Sequence, residues 1–109
     1  MIIKIVEGFY EDVRFRLMEN EIQVVLDEGD MLEFKADVLT KENGMITIEE
    51  RTMARDLEDR IVLGLDTEKY GIVPGRYNWE LNLIREDKSD FNLLPGEYNE
   101  LIIIAKEGS

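Results

Sequence analysis

Apolar and polar residues alternate along several stretches of this chain, most clearly after Pro74-Gly75. Polar and apolar residues alternate in that stretch, and the apolar residues share one parity: Tyr77, Trp79, Leu81 and Leu83. Successive side chains of a strand point to opposite faces, so this period of two predicts a strand with one face in a core and one in water. The Pro-Gly opening returns at Pro95-Gly96, and we interpret both as β-turns with Pro second and Gly third.

Further short apolar stretches, most of them alternating, follow one another and are separated by turn residues. They cover residues 13–17, 22–26, 32–38, 46–48, 61–65, 91–94 and 101–105. Asn43-Gly44 predicts a type I′ hairpin turn, because this pair tolerates the positive φ angles that such a turn requires. The polar residues 51–59 predict a loop. Seven to nine short strands joined by turns predict an all-β, antiparallel sandwich or barrel.

Chain length and residue types limit what the protein can be. With 109 residues, a single domain covering residues 1–109 is expected. The chain has no cysteine, which excludes disulfides and thiolate metal sites, and no histidine, which removes the commonest general base. No cofactor is expected.

The formal net charge is −12, from 25 acidic and 13 basic residues. Such a surface repels the phosphates of nucleic acids and anionic membranes, so we expect neither as a partner. The 44% hydrophobic content favours a folded domain over an acidic disordered tail. The apolar run at residues 2–6 is too short for a signal peptide, which predicts a cytoplasmic protein, with assembly into a virion as a later step.

Carboxylates are the chemically active groups that the sequence offers. Asp27 and Asp30 flank an acidic turn and are weak candidates for Ca²⁺ ligands, although the spacing does not match an EF-hand and a solvated turn is the favoured interpretation. Carboxylate pairs also hydrolyse glycosides when they face each other across a cleft, but no pair stands out. We therefore assign no catalytic residue and expect no enzymatic activity. A carboxylate-based Ca²⁺-binding or hydrolytic module remains one alternative.

Both ends of the chain are apolar at odd and even positions. A strand of that kind is covered on both faces or has a partner to meet, and an exposed edge favours strand pairing between subunits. We therefore expect contacts with other protein subunits, including copies of this chain. The candidate contact residues lie in the terminal strands, beside Gly8 and in the polar loop: Ile3, Ile5, Phe9, Tyr10, Met53, Leu57, Ile102 and Ile104. For Phe9 and Tyr10, packing is the favoured alternative, and Tyr77 and Trp79 are expected in the core rather than on a binding platform.

Several short motifs resemble those of a known phage family. They are Gly29-Asp30-x-x-x-Phe34, Leu65-Asp66-Thr67, Pro74-Gly75-x-Tyr77-x-x-x-Leu81 and the closing run Gly96-x-x-x-x-Leu101-Ile102-Ile103-Ile104. Their order is similar to that in the immunoglobulin-like N-terminal domain of phage baseplate upper proteins and related prophage structural proteins. The resemblance covers about residues 22–105, and the first twenty residues look like an addition to it. It implies an immunoglobulin-like β-sandwich, phage structural partners and no catalytic residues.

Together these observations predict a non-enzymatic phage or prophage structural or assembly protein, of tail or baseplate type, that acts through protein–protein contacts. An acidic cytoplasmic inhibitor that mimics nucleic acid is the main alternative, because anionic surfaces attract basic partners. That alternative requires carboxylates in rows on one face of the molecule.

Overall fold

A computed structural model describes residues 1–16, 18–19, 22–23, 29–54, 56–58, 60–85, 90–94 and 99–107. Within these residues the chain forms ten strands and one short helix. In chain order they are β1 (Ile2–Val6), β2 (Tyr10–Phe15), β3 (Met18–Glu19), β4 (Ile22–Gln23), β5 (Met31–Thr40), β6 (Gly44–Thr52), β7 (Ile61–Asp66), α1 (Thr67–Tyr70), β8 (Gly75–Ile84), β9 (Asp90–Leu94) and β10 (Glu100–Ile104). The all-β prediction is therefore confirmed.

The largest sheet, here the main sheet, has the strand order β1-β10-β8-β5-β6. The second half of β8 pairs with β9, and its first half pairs with β10. A second sheet consists of β2 and β7, and β3 and β4 form a separate short pair. Buried residues of β7 belong to the same hydrophobic cluster as those of the main sheet, an arrangement consistent with a β-sandwich.

The main sheet is mixed rather than purely antiparallel. β1 and β10 run parallel, while the other paired strands of this sheet are antiparallel. The prediction of an antiparallel sandwich is corrected at this pair. Parallel pairing needs a long connection, and almost the whole chain lies between β1 and β10.

The predicted hairpin at Asn43-Gly44 forms between β5 and β6, but with a different turn. Thr40 pairs with Gly44, so three residues lie between the paired positions instead of the two of a type I′ turn. Gly44 has a φ of 66°, the left-handed conformation that glycine adopts without steric cost. The hydroxyl of Thr40 accepts a hydrogen bond from Asn43 N and donates one to Gly44 O, which fixes the turn.

The core confirms the parity predicted for β5, β7 and β8. Trp79 of β8 stacks on Phe34 of β5 with 5.4 Å between ring centroids. Its indole N–H donates to the carbonyl of Glu100 at 3.1 Å, so the one polar atom of the ring is satisfied. Tyr77 is half-buried and packs against this core. The expectation that Tyr77 and Trp79 are structural residues is therefore confirmed.

Residues 1–16 belong to the fold rather than adding to it. Ile3 and Ile5 of β1 are buried in the same cluster as Phe34, and β2 pairs with β7 from Tyr10 opposite Asp66 to Phe15 opposite Ile61. The described part of the first twenty residues is therefore integral to this chain's own fold, and their interpretation as an addition to the family pattern stays a prediction.

The helix α1 was not predicted. Asp66 caps it, because its side chain accepts hydrogen bonds from Glu68 N at 3.0 Å and Lys69 N at 3.1 Å. Gly71 ends it in the left-handed conformation, with a φ of 63°. Pro74 then lies at a bend, and Gly75 is already the first residue of β8. Pro95-Gly96 lies outside the described residues.

Of the loop predicted at residues 51–59, residues 53–54 and 56–58 form a loop, whereas Arg51 and Thr52 instead continue β6, which corrects the start of the prediction. None of the helices that the structure describes has the length and apolar character needed to cross a bilayer.

Candidate protein-contact surface

The parallel pair β1·β10 sorts the apolar terminal residues into two rows. Ile3 lies opposite Leu101 and Ile5 opposite Ile103, and all four are buried in the core. This corrects the expectation that the side chains of Ile3 and Ile5 are available to a partner, because they already fill the interior of their own chain.

The other row points outwards. Alternation places Ile2 and Val6 on the opposite face of β1, and they are 58% and 38% exposed. Ile104 is opposite Val6 and is 44% exposed, while Ile102 is half-buried opposite Lys4. We call this row the terminal patch: Ile2, Lys4, Val6, Ile102 and Ile104. Of the predicted contact residues in the terminal strands, the structure leaves Ile102 and Ile104 on the surface.

The terminal patch borders an open sheet edge. Among the described strands, β1 pairs with β10 alone, so its other edge presents unpaired backbone groups. Lys4 is exposed in the middle of this strand and makes no ion pair with any residue that the structure describes. A lysine on an edge strand is a common protection against indiscriminate pairing.

Phe9 extends the terminal patch at one end. The N–H of Phe9 donates to Val6 O at 3.1 Å, and the N–H of Glu7 donates to Ile104 O at 2.8 Å, so the turn after β1 stays beside β10. Phe9 is exposed, and the ammonium of Lys106 lies 5.8 Å from its ring centroid. Phe9 therefore stays a candidate contact residue.

Tyr10 is also exposed but lies on the other sheet, in β2. Its hydroxyl lies where a side chain at Gly64 would be, which explains the glycine in β7. That hydroxyl donates to Asp12 at 2.8 Å, and this hydrogen bond to a carboxylate raises the pKa of Tyr10. Tyr10 is thus engaged with its own sheet, and the structure does not join it to the terminal patch.

The loop candidates Met53 and Leu57 are both exposed. They follow β6, at the opposite edge of the main sheet from β1, so they form a separate surface. Asp56 organises this loop by accepting hydrogen bonds from Glu58 N and from the backbone and guanidinium of Arg60. Burial acts to raise the pKa of Asp56, but these hydrogen bonds together hold it below its usual range.

A second exposed apolar pair was missed from the sequence. Leu39 of β5 lies opposite Met45 of β6, and the two are 40% and 63% exposed on the outward face of the main sheet. The available signal was Leu39 itself, an apolar residue on the polar parity of its strand. Carboxylates share this face with the pair, namely Asp37 in β5 and Glu49 in β6.

The candidate metal ligands do not form a site within the described chain. Asp27 lies outside the described residues. Asp30 is buried, and its carboxylate lies 3.6 Å from the guanidinium of Arg85, which supplies the compensating charge. No group of three acidic residues that could hold a metal ion occurs among the residues that the structure describes.

An open depression of about 260 Å³ lies on the outward face of the main sheet. Its polar lining residues include Lys35, Asp37 and Glu80, so it contains two of the carboxylates that a hydrolytic site would need. Asp37 accepts a hydrogen bond from the Thr47 hydroxyl, and Lys35 is held by Glu33 at 3.3 Å. The hydrogen bond and charge of Glu33 raise the pKa of Lys35, so this lysine stays charged and is a poor base.

The other tyrosines are not arranged as a binding platform in the described structure. Tyr70 is half-buried, and its hydroxyl donates to Glu50. Burial, followed by this hydrogen bond, raises the pKa of Tyr70 strongly. Tyr98 lies outside the described residues.

Comparison with known proteins identifies no relative: no family model, curated protein or solved structure matches the chain. The resemblance to the baseplate family therefore stays a prediction from the motifs.

Proposed function

We propose that this protein is a non-enzymatic structural or assembly protein that acts through protein–protein contacts, with the terminal patch as part of the contact surface. The observation that carries the proposal is the outward-facing row Ile2, Val6 and Ile104 beside the open edge of β1. Exposed apolar rows next to an unpaired strand favour contact with another protein, because contact removes apolar area from water and pairs backbone groups.

The assignment to a phage or prophage particle comes from the motif resemblance. We propose with it an immunoglobulin-like topology. Support comes from the run β10-β8-β5-β6 in one sheet and the β2·β7 pair in the other, which parallels the strands G-F-C-C′ and B-E of immunoglobulin-type sandwiches.

A single hydrogen bond adds to that topology. The hydroxyl of Tyr77, near the start of β8, bonds back to the carbonyl of Val73. Immunoglobulin-type domains carry a tyrosine with this hydrogen bond at the corner before strand F. Trp79 lies two residues after Tyr77 and stacks on Phe34. It occupies the strand position at which many of these domains carry the second cysteine of their disulfide.

The nucleic-acid mimic has less support. The ion-paired carboxylates of the described chain are spread over both sheets and their loops, as Glu7, Asp12, Asp30, Glu33, Glu49, Glu50, Asp56, Glu58 and Glu100 show. A mimic of a phosphate backbone needs unpaired carboxylates in rows on one face. The hydrolytic alternative depends on Asp37 and Glu80 in the open depression, where little of a substrate would be enclosed.

The proposal is tested in the strain that carries the gene. We expect tail or capsid genes on either side of it, and the chain in particles purified after prophage induction, as detected by mass spectrometry. Replacement of Ile104→Glu should remove the chain from particles, while Ile104→Leu, which keeps an apolar side chain, should leave it there. A chain that is absent from particles, encoded among metabolic genes, would overturn the proposal.

A further inference from the structure

The two edges of the main sheet differ in charge. β1 forms one edge and β6 the other, and within the described strands each is paired along its length on one side only. The outward row of β1 carries a cation, Lys4, between Ile2 and Val6. The outward row of β6 carries Met45, Thr47, Glu49 and Arg51.

Glu49 is the exposed carboxylate in the outward row of β6. Its side chain is 49% exposed and lies 3.8 Å from Lys35. That lysine lies closer to the buried Glu33, at 3.3 Å, and Glu33 is also bonded by Arg51 at 2.9 Å. Lys4 on the opposite edge makes no ion pair with the described residues. The β1 edge therefore offers a cation that Glu49 on the β6 edge can meet.

We propose that the chain assembles head to tail with copies of itself, β1 of one copy adding to β6 of the next with Lys4 opposite Glu49. This inference rests on the proposed function and names the partner of the terminal strands. The strand directions permit it. β1 and β10 are parallel and the next three pairings are antiparallel, so β6 runs opposite to β1. A second copy in the same orientation thus brings its β1 antiparallel to β6.

The half of β1 from Lys4 to Val6 fits this register, while at its other end Ile2 comes opposite Arg51 and Ile3 opposite Glu50. On the outward face, Val6 comes opposite Thr47 and diagonal to the exposed Met45, so apolar surface from both copies is covered. On the inward face, Ile5 comes opposite Ile48. Both are already buried within their own copies, so this pair matches apolar residues without covering further apolar area.

Symmetric pairing of two β1 strands is disfavoured by the same lysine. An antiparallel pair that overlaps all five residues would place Lys4 directly opposite Lys4 of the other copy, and like charges in that position are destabilising. Lys4 therefore selects β6 over a second β1. A contact between two different edges is heterologous, so it produces rings or open chains rather than a closed dimer.

The test uses sedimentation velocity of the purified full chain over a wide concentration range. Wild type should form species larger than dimers, in a distribution that grows with concentration. Lys4→Glu and Glu49→Lys should each weaken association by at least about ten-fold, because each creates a like-charge pair at the junction.

A 1:1 mixture of the two variants should assemble again. The carboxylate introduced into β1 of one variant then meets the ammonium introduced into β6 of the other, and the remaining edges are native. The matched controls Arg14→Glu and Glu11→Lys in β2 make the same changes in net charge on the other sheet and should assemble like wild type.

Each outcome of these sedimentation experiments either supports or contradicts head-to-tail assembly. Recovery in the mixture, but not in either variant alone, supports head-to-tail pairing of these edges. A monomer at every concentration, a closed dimer, or single variants that assemble like wild type would overturn it.

Particle incorporation separates this inference from the proposed function. A chain that is monomeric in solution yet present in particles keeps the proposed function and loses the self-assembly. A chain that assembles head to tail yet is absent from particles does the reverse.

Discussion

The hydroxyl of Tyr77 donates a hydrogen bond to the backbone carbonyl of Val73 at 2.5 Å. It joins the start of β8 to the segment that leads into it, while Val73 N in turn donates to Leu39 O of β5 at 2.9 Å. The segment between α1 and β8 is thus tied to the main sheet at both its carbonyl and its amide.

Tyr77→Phe removes this hydrogen bond and leaves the ring in place. We expect the free energy of unfolding to fall by about 1 kcal/mol, the usual net contribution of one such bond in a half-buried site. Guanidinium unfolding followed by the fluorescence of Trp79, the one tryptophan of the chain, measures it. Tyr10→Phe is the control, since its hydroxyl bonds to Asp12 at the surface, and a loss there equal to that of Tyr77→Phe would contradict the prediction.

The N-terminal cap of α1 gives a second prediction. Asp66→Ala removes the acceptor for Glu68 N and Lys69 N and should cost about 1 kcal/mol of unfolding free energy. Asp66→Asn keeps an acceptor oxygen and should recover most of it. Both are measured by the same unfolding experiment, and equal losses in the two variants would show that the hydrogen bonds are not the cause.

The half-buried hydroxyl of Tyr70 predicts a loss of stability in alkali. Burial and the bond to Glu50 raise its pKa above 10.0 in the folded chain. Above about pH 10 the unfolded chain therefore releases this proton while the folded chain retains it, so stability falls as the pH rises further. Tyr70→Phe should lose less stability than wild type between about pH 8 and 11. Equal losses of unfolding free energy in wild type and Tyr70→Phe would contradict the attribution of this pH dependence to Tyr70.

Salt should promote self-association. Copies with a net charge of −12 repel one another at long range, and the Debye length shortens from about 30 Å at 0.01 M to about 3 Å at 1 M salt. The short-range pair of Lys4 and Glu49 is screened less, because the junction partly buries it. We expect the average mass at fixed protein concentration to rise with added NaCl in sedimentation experiments. A fall in mass would show that attraction between opposite charges dominates instead.

The sequence predicts those strands in which one parity is apolar and the other polar. In β5, Phe34 and Val38 face the core while Lys35 and Asp37 face the other side of the sheet. The alternation of apolar and polar residues in the sequence predicts this arrangement directly. In β1 both parities carry apolar residues, and Lys4, on the parity of Ile2, is the single signal in the strand that Ile3 and Ile5 face inwards. That choice depends on β10, which is distant in the chain.

Two other features depend on local chemistry that the strand pattern hides. Asp66 and Gly71 cap the two ends of α1, but Asp66 is also the last residue of the alternating strand β7, so the strand pattern gives no sign of the helix that follows. The Leu39 and Met45 pair arises only when the hairpin register is known, because a shift by one residue would turn one of the two side chains to the other face.

The parallel pairing of β1 and β10 also sets the order in which the protein can be completed during synthesis. β1 leaves the ribosome well before β10, so Ile3 and Ile5 remain without their sheet neighbours until β10 emerges. Contacts between such distant segments are slow to form, because the intervening chain must first be ordered. Closure of the core on its β1 side therefore waits for β10, and the apolar strand β1 is exposed to other chains throughout that interval.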